Sequence, residues 1–228
     1  MKDLTLIIPA KEEAESLPFL MKELISYKCK KIIITSREDL ETINSIKNNS
    51  DILLLSQKKP GVGSAIIEGI NKAKTKYFCI LMADGSTNPK YIKNMYKNCK
   101  RERLDMIFSS RYQKPNGGSA DDTLVTYVGN FFFTKLGNIF FSTNISDILF
   151  MFVLGKKKSF KILNLKSYDH RICVELALKA KFNELKYTCI PSFERKRFGG
   201  TKKVNALKDG ILILSEMIKL FFTKNKTI

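Results

Sequence analysis

A short polar run, A-D-G-S-T-N-P over residues 83–89, interrupts an apolar stretch that begins at Tyr77. It holds one carboxylate, Asp84, followed by Gly85, which lets backbone approach a ligand closely, and by the hydroxyl of Ser86. The chemistry on offer is oxygen ligation of a hard divalent cation such as Mg2+ or Mn2+. No softer metal site can be assembled: the five cysteines (Cys29, Cys79, Cys99, Cys173, Cys189) form no C-x-x-C pair, and His170 is the single histidine. A turn or helix-capping role for Asp84 is the alternative, because D-G-S-T-N-P is rich in turn formers. Two basic features could meet an anion. Arg111 ends the run S-S-R, and R-K-R-F-G-G-T-K-K over 195–203 places Arg197, Lys202 and Lys203 around a Gly-Gly pair. Planar guanidinium forks and lysine point charges both suit phosphate oxygens, although such a tail is a solvated surface loop in most proteins. Three other acids have bland readings beside any functional one. Glu13 fits the first turn of a helix, Asp147 a polar loop and Glu175 an amphipathic helix.

The chain that must position these residues has 228 residues, 44% of them apolar, which is enough for a sizeable core. Forty Lys and Arg against twenty-two Asp and Glu give a formal net charge of +18. Such an excess points toward nucleic acid, membrane phosphates or anionic substrates. The cations are mostly Lys and are scattered, and no recognition module is visible, so nucleic-acid binding is set aside. The cysteines sit beside residues such as Phe78, Ile80, Val174 and Ile190, as small buried hydrophobes in a reducing compartment do, and a cytoplasmic location is expected. Met1 leads straight into a strand-like run with no basic n-region, so no signal peptide is expected. No stretch reaches the roughly 18 to 20 uninterrupted apolar residues that a spanning helix needs.

Leu4–Pro9, Lys31–Thr35 and Asp51–Leu55 are short aliphatic runs of the kind that form buried parallel strands. Helical spacing separates them, over Glu12–Tyr27 and Glu38–Asn48. A glycine-opened helix, G-V-G-S-A-I-I-E-G-I-N-K-A, then leads to a fourth strand over Tyr77–Met82. This alternation is the signature of an α/β fold with a mostly parallel sheet and helices on both faces. In such sheets the loop after the carboxyl end of a strand is where ligands bind, which returns attention to Asp84. A helix after Pro89 and a strand M-I-F-S-S follow, and the rhythm then changes. Residues 113–123 form a Gly/Pro-rich loop expected to be mobile, a lid or acceptor loop. Leu124–Phe141 is a Phe-loaded helix, followed by the apolar run Ile148–Leu154, a basic helix start at Lys156–Lys158 and a helix near Ile172–Lys181. The apolar residues Phe131, Phe132, Phe133, Leu136, Ile139, Phe140 and Phe141 would ordinarily be core. They spread wider than one face needs, and Lys135 would suit a helix lying on a membrane interface. The last helix spaces Leu207, Ile211, Leu214, Ile218 and Phe221 like a heptad, fit for a second copy or a membrane surface. The expected organisation is one domain over 1–228: a nucleotide-binding half at 1–112, an acceptor-side half at 113–204 and an amphipathic helix at 205–228.

Taken in order, several segments resemble family 2 glycosyltransferases of the GT-A fold, and most closely their polyprenyl-phosphate, dolichyl-phosphate mannosyltransferase-like branch. L-I-I-P-A-K-E-E-A-E-S-L is similar to a strand followed by P-x-x-N-E-x-x-x-L, and G-V-G-S-A-I-I-E-G-I to the G-x-G-x-A helix. Y-F-C-I-L-M-A-D-G-S-T-N-P resembles the strand ending in D-A-D-x-S-x-x-P, and S-S-R-Y resembles G-S-R-Y. Asp147 and Phe152 match part of D-x-x-S-G-F-R; I-C-V-E-L-A-L-K-A and I-P-S-F-E-R-K-R-F-G-G-T-K-K resemble the E-L-L-x-x-A helix and the R-x-x-G-x-S-K tail. The resemblance runs over roughly residues 4 to 204.

It implies a Rossmann-like nucleotide-diphospho-sugar transferase fold and an inverting, metal-assisted transfer of a sugar from a nucleotide-sugar donor to a polyprenyl phosphate or a glycan. Asp84 would hold Mg2+ or Mn2+ on the diphosphate, with Arg111 and Arg197 stabilising the leaving group. Pro9, Glu13, Ser36, Gly61, Ser86, Lys202 and Lys203 would line the donor. A lipid-phosphate oxygen is already anionic, whereas a sugar hydroxyl needs a base, for which Asp147, Asp121 and Asp122 are candidates. The charge would seat the enzyme on the cytoplasmic face of an anionic membrane, with the Phe-rich and last helices as anchors. Departures from the pattern are definite. Thr35 and Ser36 stand where the family has a base-contacting Asp pair, Met82 replaces the first Asp of D-x-D, and Phe150, Met151 and Val153 replace Ser, Gly and Arg. They motivate the alternative of a GT-A domain that binds nucleotide or a protein partner without transferring sugar.

Overall fold

The structure is a computed structural model that describes residues 1–47, 51–201 and 203–224. In chain order the elements are β1 (Leu4–Pro9), α1 (Leu17–Glu23), β2 (Lys30–Thr35), α2 (Leu40–Ser45), β3 (Ile52–Ser56), α3 (Val62–Lys72), β4 (Tyr77–Ile80), α4 (Ile92–Arg101) and β5 (Met106–Ser110). There follow β6 (Gly118–Ser119), α5 (Leu124–Phe141), β7 (Val153–Lys156), α6 (Lys157–Ile162), α7 (Ile172–Phe182), β8 (Tyr187–Pro191), β9 (Phe193–Glu194) and α8 (Ala206–Lys224). Seven strands form one sheet in the order β3-β2-β1-β4-β7-β5-β8, and β7 alone runs against its neighbours. The short strands β6 and β9 pair in parallel as a separate ribbon.

Strand alternation sorts the core into two layers. On β1, Leu4, Leu6 and Ile8 pack with α1 and α4, while Ile7 packs on the opposite face with α3, α5 and α7. Because both faces of β1 are covered, its six residues are all buried and all but Thr5 are apolar. Strands β7 and β8 lie beyond residue 112 yet join the sheet that β1 to β5 build, so the sheet crosses that position.

Three local readings need correction. The helix expected over Glu12–Tyr27 starts only at Leu17, because the backbone N–H groups of Glu12 and Glu13 donate to Asp39 and Thr42 and Glu12 takes a left-handed φ of 53°. The helix expected over Glu38–Asn48 is α2, capped by the Asp39 side chain on Thr42 N–H; Asn48 lies outside the described residues. The 113–123 loop is fastened rather than free. Gly118 and Ala120 donate backbone bonds to Ser192 and Glu194, and the Ser119 hydroxyl donates to the Glu194 carboxylate at 2.5 Å.

Candidate active site

Loops leaving the carboxyl ends of β1, β2 and β4 meet on one rim of the sheet, with Pro9 buried at the end of β1 and Thr35 at the end of β2. Asp39 organises this corner. Its Oδ2 accepts from Glu12 N–H at 2.7 Å and from the Thr35 hydroxyl at 3.0 Å, while Oδ1 accepts from Thr42 N–H. Burial alone would push the Asp39 pKa up, but these donors outweigh it and hold the carboxyl below the usual range. Its side chain fixes the loop that presents Glu13. The Glu13 carboxylate accepts from Ser16 Oγ at 2.6 Å and lies 3.5 Å from Lys203 Nζ. Burial raises the Glu13 pKa, the Ser16 bond and Lys203 work against that, and the charge of Asp84 adds to it, so Glu13 and Asp84 share one electrostatic neighbourhood.

Asp84 sits where β4 has ended. Its Oδ1 accepts from Ser86 N–H at 2.9 Å, an Asx turn that holds the carboxylate at the loop's apex. The segment 195–198 clamps the other side: Ser86 O accepts Arg195 N–H, Asp84 O accepts Phe198 N–H, and the Arg195 guanidinium donates to Gly85 O. Gly85 has φ 78°, and a Cβ there would stand 2.2 Å from the Phe198 ring. Gly85→Ala should therefore lower stability by about 1–3 kcal/mol through strain and forced displacement of Phe198. Urea unfolding reads this directly, and a wild-type midpoint would mean the ring swings aside freely.

The clamp brings Arg197 to Asp84. Arg197 Nη2 is 3.8 Å from Asp84 Oδ2 and donates to Asp121 Oδ2 at 3.1 Å. Burial opposes the Arg197 charge, but the bond to Asp121 and the charges of Asp84 and Glu13 outweigh it and raise its pKa. Glu13, Asp84, Asp121, Arg197 and Lys203 thus form one ionic constellation, assembled from β1, β4, the 113–123 loop and the basic tail. A hollow of about 170 Å³, lined by Glu12, Glu15, Glu41, Gly200 and Lys203 among others, opens beside it. A larger hollow of about 390 Å³ lies at the opposite ends of the strands, near Thr5, Lys30 and Lys72, away from these carboxylates.

Arg111 and Asp147 belong to a second, buried cluster. Arg111 Nε donates to Asp147 Oδ2 at 2.7 Å and Nη2 to Oδ1 at 2.9 Å, and Nη1 donates to Glu194 Oε2 at 3.2 Å. The guanidinium stacks on Phe150 and Tyr112, and Asp122 Oδ1 lies 3.5 Å from Nη1. Desolvation works against the Arg111 charge, but Asp147 and then Glu194 hold its pKa well above the ordinary value. Burial lifts the Glu194 pKa against the pull of Arg111 and Ser119. The expectation that Arg111 meets a diphosphate thus differs from the geometry, since its fork is spent on Asp147 and Glu194. The same bonds occupy both oxygens of Asp147, which is fully buried and cannot take a proton from an acceptor. The Asp122 oxygens accept from Tyr112 and Thr126. Asp121, the third candidate base, accepts from the Arg197 guanidinium that lies 3.8 Å from Asp84.

Other expected donor contacts fall elsewhere. Gly61, with φ 103°, packs so closely on the Tyr168 carbonyl that a Cβ would stand 2.1 Å from it, and that carbonyl accepts Ser64 N–H at 3.0 Å. The opening turn of α3 therefore meets Tyr168 instead of a phosphate. Ser36 is exposed, its hydroxyl accepting Glu38 N–H, and Ser86 is buried beside Asp84. Lys202 lies outside the described residues. Glu175, read as an ordinary helix residue, is 1% exposed and accepts the N–H groups of Lys166 and Ser167, which sets the Tyr168 loop against Gly61.

Among the described residues no three Cys, His, Asp or Glu side chains gather as a metal cage. Asp84 keeps Oδ2 facing the constellation, with Oδ1 satisfied by Ser86. One carboxylate fits Mg2+ or Mn2+ when the remaining ligands are substrate phosphate oxygens and water, so the donor set suits an ion that binds together with a diphosphate.

Comparison with known proteins bears on the constellation's chemistry. The family model described as Glycosyl transferase family 2 matches residues 5–163. The structure is similar to crystal structures of glucosyl-3-phosphoglycerate synthase from Mycobacterium tuberculosis. With the complex containing phosphoglyceric acid it has a TM-score of 0.71 at 12% identity, covering 98% of this chain and 80% of that one. With the complex containing Mn2+, UDP-glucose and phosphoglyceric acid the values are 0.71 and 12%, covering 98% and 79%. A further mycobacterial protein matches at a TM-score of 0.69 and 10% identity, covering 96% of this chain and 74% of that one. At such identities the likeness is one of fold.

Proposed function

The chain belongs to glycosyl transferase family 2 and has the GT-A fold, and from that premise we propose that it transfers a sugar from a nucleotide-diphosphate donor at the constellation around Asp84. The observation that carries this reading is the convergence of Asp84 and Arg197 at the carboxyl end of β4, one able to share a divalent ion with a diphosphate, the other cationic. The Mn2+ and UDP-glucose held by the mycobacterial synthase support a nucleotide sugar with Mg2+ or Mn2+ as the donor pair here. On this reading the chain is a single domain that acts in the cytoplasm, in which residues 1–112 supply the donor half and 113–204 the acceptor half, with Arg197 and Lys203 reaching back from the latter to the donor site.

The step is a single displacement with inversion. An acceptor oxygen bonds to the anomeric carbon, the bond from that carbon to the diphosphate oxygen breaks, and its electron pair leaves with the nucleoside diphosphate. A divalent ion shared by Asp84 and the diphosphate would offset the charge that develops on the leaving group. Arg197 stabilises the same charge by hydrogen bonding, and releases Asp121 as it turns to the phosphate. Lys203 adds a point charge from beyond Gly200, and Glu13, buried and braced by Ser16, faces the nucleoside side. The acceptor we propose is a polyprenyl phosphate, as in the dolichyl-phosphate mannosyltransferase-like branch, whose phosphate oxygen needs no base. A glycan acceptor would have to give its proton to Asp121, the carboxylate that Arg197 bonds beside Asp84.

A melting-temperature panel with UDP-, GDP-, dTDP- and CMP-sugars, with and without Mn2+, tests the donor site, since a ligand of the folded state raises the midpoint by mass action. A metal-dependent rise with one nucleotide class is expected. Absence of any rise would favour the alternative, a domain in which Met82 and Ser36 mark lost transfer.

A further inference from the structure

We propose that the outer faces of α5 and α8 form one seat for an anionic lipid bilayer. Each helix already has a core face. On α5 it is Asn130, Phe133, Gly137 and Phe141, and on α8 it is Ile213, Glu216, Met217 and Leu220, all buried. Each is apolar again on the side turned to solvent. Leu124 (79% exposed), Val128, Phe131 and Ile139 repeat along α5, and Leu207 (77% exposed), Ile211, Ile218 and Phe222 repeat along α8. The helices pack on one another, and the Phe140 ring meets the Phe221 ring at 6.2 Å and 87°, which joins the two stripes. Isolated exposed apolar residues need no explanation, but two contiguous helical stripes mark an interaction surface.

Charge decides the occupant. Helix α5 contains no acid and one cation, Lys135; on α8 Glu216 is buried and Asp209 is turned toward His170, 3.5 Å away. Lys219 pairs with the buried Glu216 at 3.0 Å, and the exposed charges left along the two faces are Lys135 and Lys208. On a chain of net charge +18, a second copy would set cation against cation, whereas anionic headgroups complement the pattern. Neither helix is long and apolar enough to cross a membrane, so they lie in its interface. Thr123, which caps α5, follows Asp121 and Asp122, and Asp121 holds Arg197 against Asp84. The seat therefore begins one turn from the constellation. If the proposed transfer holds, on which this last step rests, a lipid-borne phosphate would reach Arg197 along the first turn of α5.

Co-sedimentation of the full chain with vesicles of phosphatidylcholine alone, or with added phosphatidylglycerol, tests the seat against the variant V128S/F131S/I218S/F222S. These residues are solvent-facing and outside the constellation, so the melting midpoint should hold. Binding to phosphatidylglycerol vesicles is expected, weakening as salt rises and falling at least tenfold in the variant. No binding, or equal binding by both proteins, overturns the proposal. So does a wild-type dimer in sedimentation velocity that the variant abolishes without vesicle binding, which would assign the face to a second copy. A nucleotide shift measured on the same preparations separates the two readings: its loss alone removes the transferase assignment and leaves the seat standing.

Discussion

Asp84→Asn should cut kcat/KM for sugar transfer by a factor on the order of 10³ while leaving the melting midpoint of the ligand-free protein nearly unchanged. Two features of the loop make the split specific. The amide oxygen of Asn can still accept Ser86 N–H, and the Phe198 and Arg195 clamp acts on backbone atoms at 84–86, so the turn survives. The charge does not survive, and on the proposed reading it is the carboxylate that would share an ion with the diphosphate. Initial rates with the donor class that shifts the melting midpoint, measured across a Mn2+ titration, check the expectation. A variant within a few fold of wild type would place the ion elsewhere and remove Asp84 from the reaction.

The strands of the first half were legible in the sequence because a parallel strand covered on both faces becomes a nearly continuous apolar run, as Leu4–Pro9 does around Thr5. The Asp84 loop was legible for the converse reason: a polar interruption at the carboxyl end of such a run has no core to join. What escaped were roles fixed by partners distant in sequence. Arg111 and Asp147 were each read as facing a ligand, yet they are 36 residues apart in sequence and meet each other in the buried interior. Nothing in S-S-R-Y announces that its guanidinium will be consumed by a carboxylate two elements later. Asp39 was missed because it lies three residues beyond the Thr35-Ser36 pair that drew attention, and its work is backbone capping. The spacing of Leu207, Ile211, Leu214 and Ile218 was read correctly as a stripe, but α8 has two, and periodicity alone cannot say which one the fold covers.

Two ionic clusters stand side by side, and the chain divides adjacent residues between them. Asp121 bonds Arg197 in the open constellation, while Asp122 bonds Tyr112 and lies near Arg111 in the buried one. On the facing strand Glu194 accepts from Arg111, and Arg195 turns the other way to Gly85. The β6–β9 ribbon holds these pairs in register, so the buried cluster fixes where Asp121 and Arg197 stand without touching a substrate itself. Arg111 is in this sense a positioning residue.

Asp147→Ala should accordingly cost about 3–5 kcal/mol of stability, because it strips a buried guanidinium of its bidentate partner and leaves Arg111 with Glu194 and the more distant Asp122. The loss appears as a lowered urea midpoint at constant slope. The double variant R111M/D147L, which removes both charges and refills the volume, should lose much less than the sum of its parts, since paired deletion leaves no orphaned charge. A base at Asp147 would give a different signature, a large fall in turnover with no change in midpoint. With full burial and both oxygens bonded to Arg111, the expected order is stability first and turnover only through it. An Asp147→Ala variant that lost less than about 1 kcal/mol would show the cluster is not what holds the 113–123 loop and β9 in place.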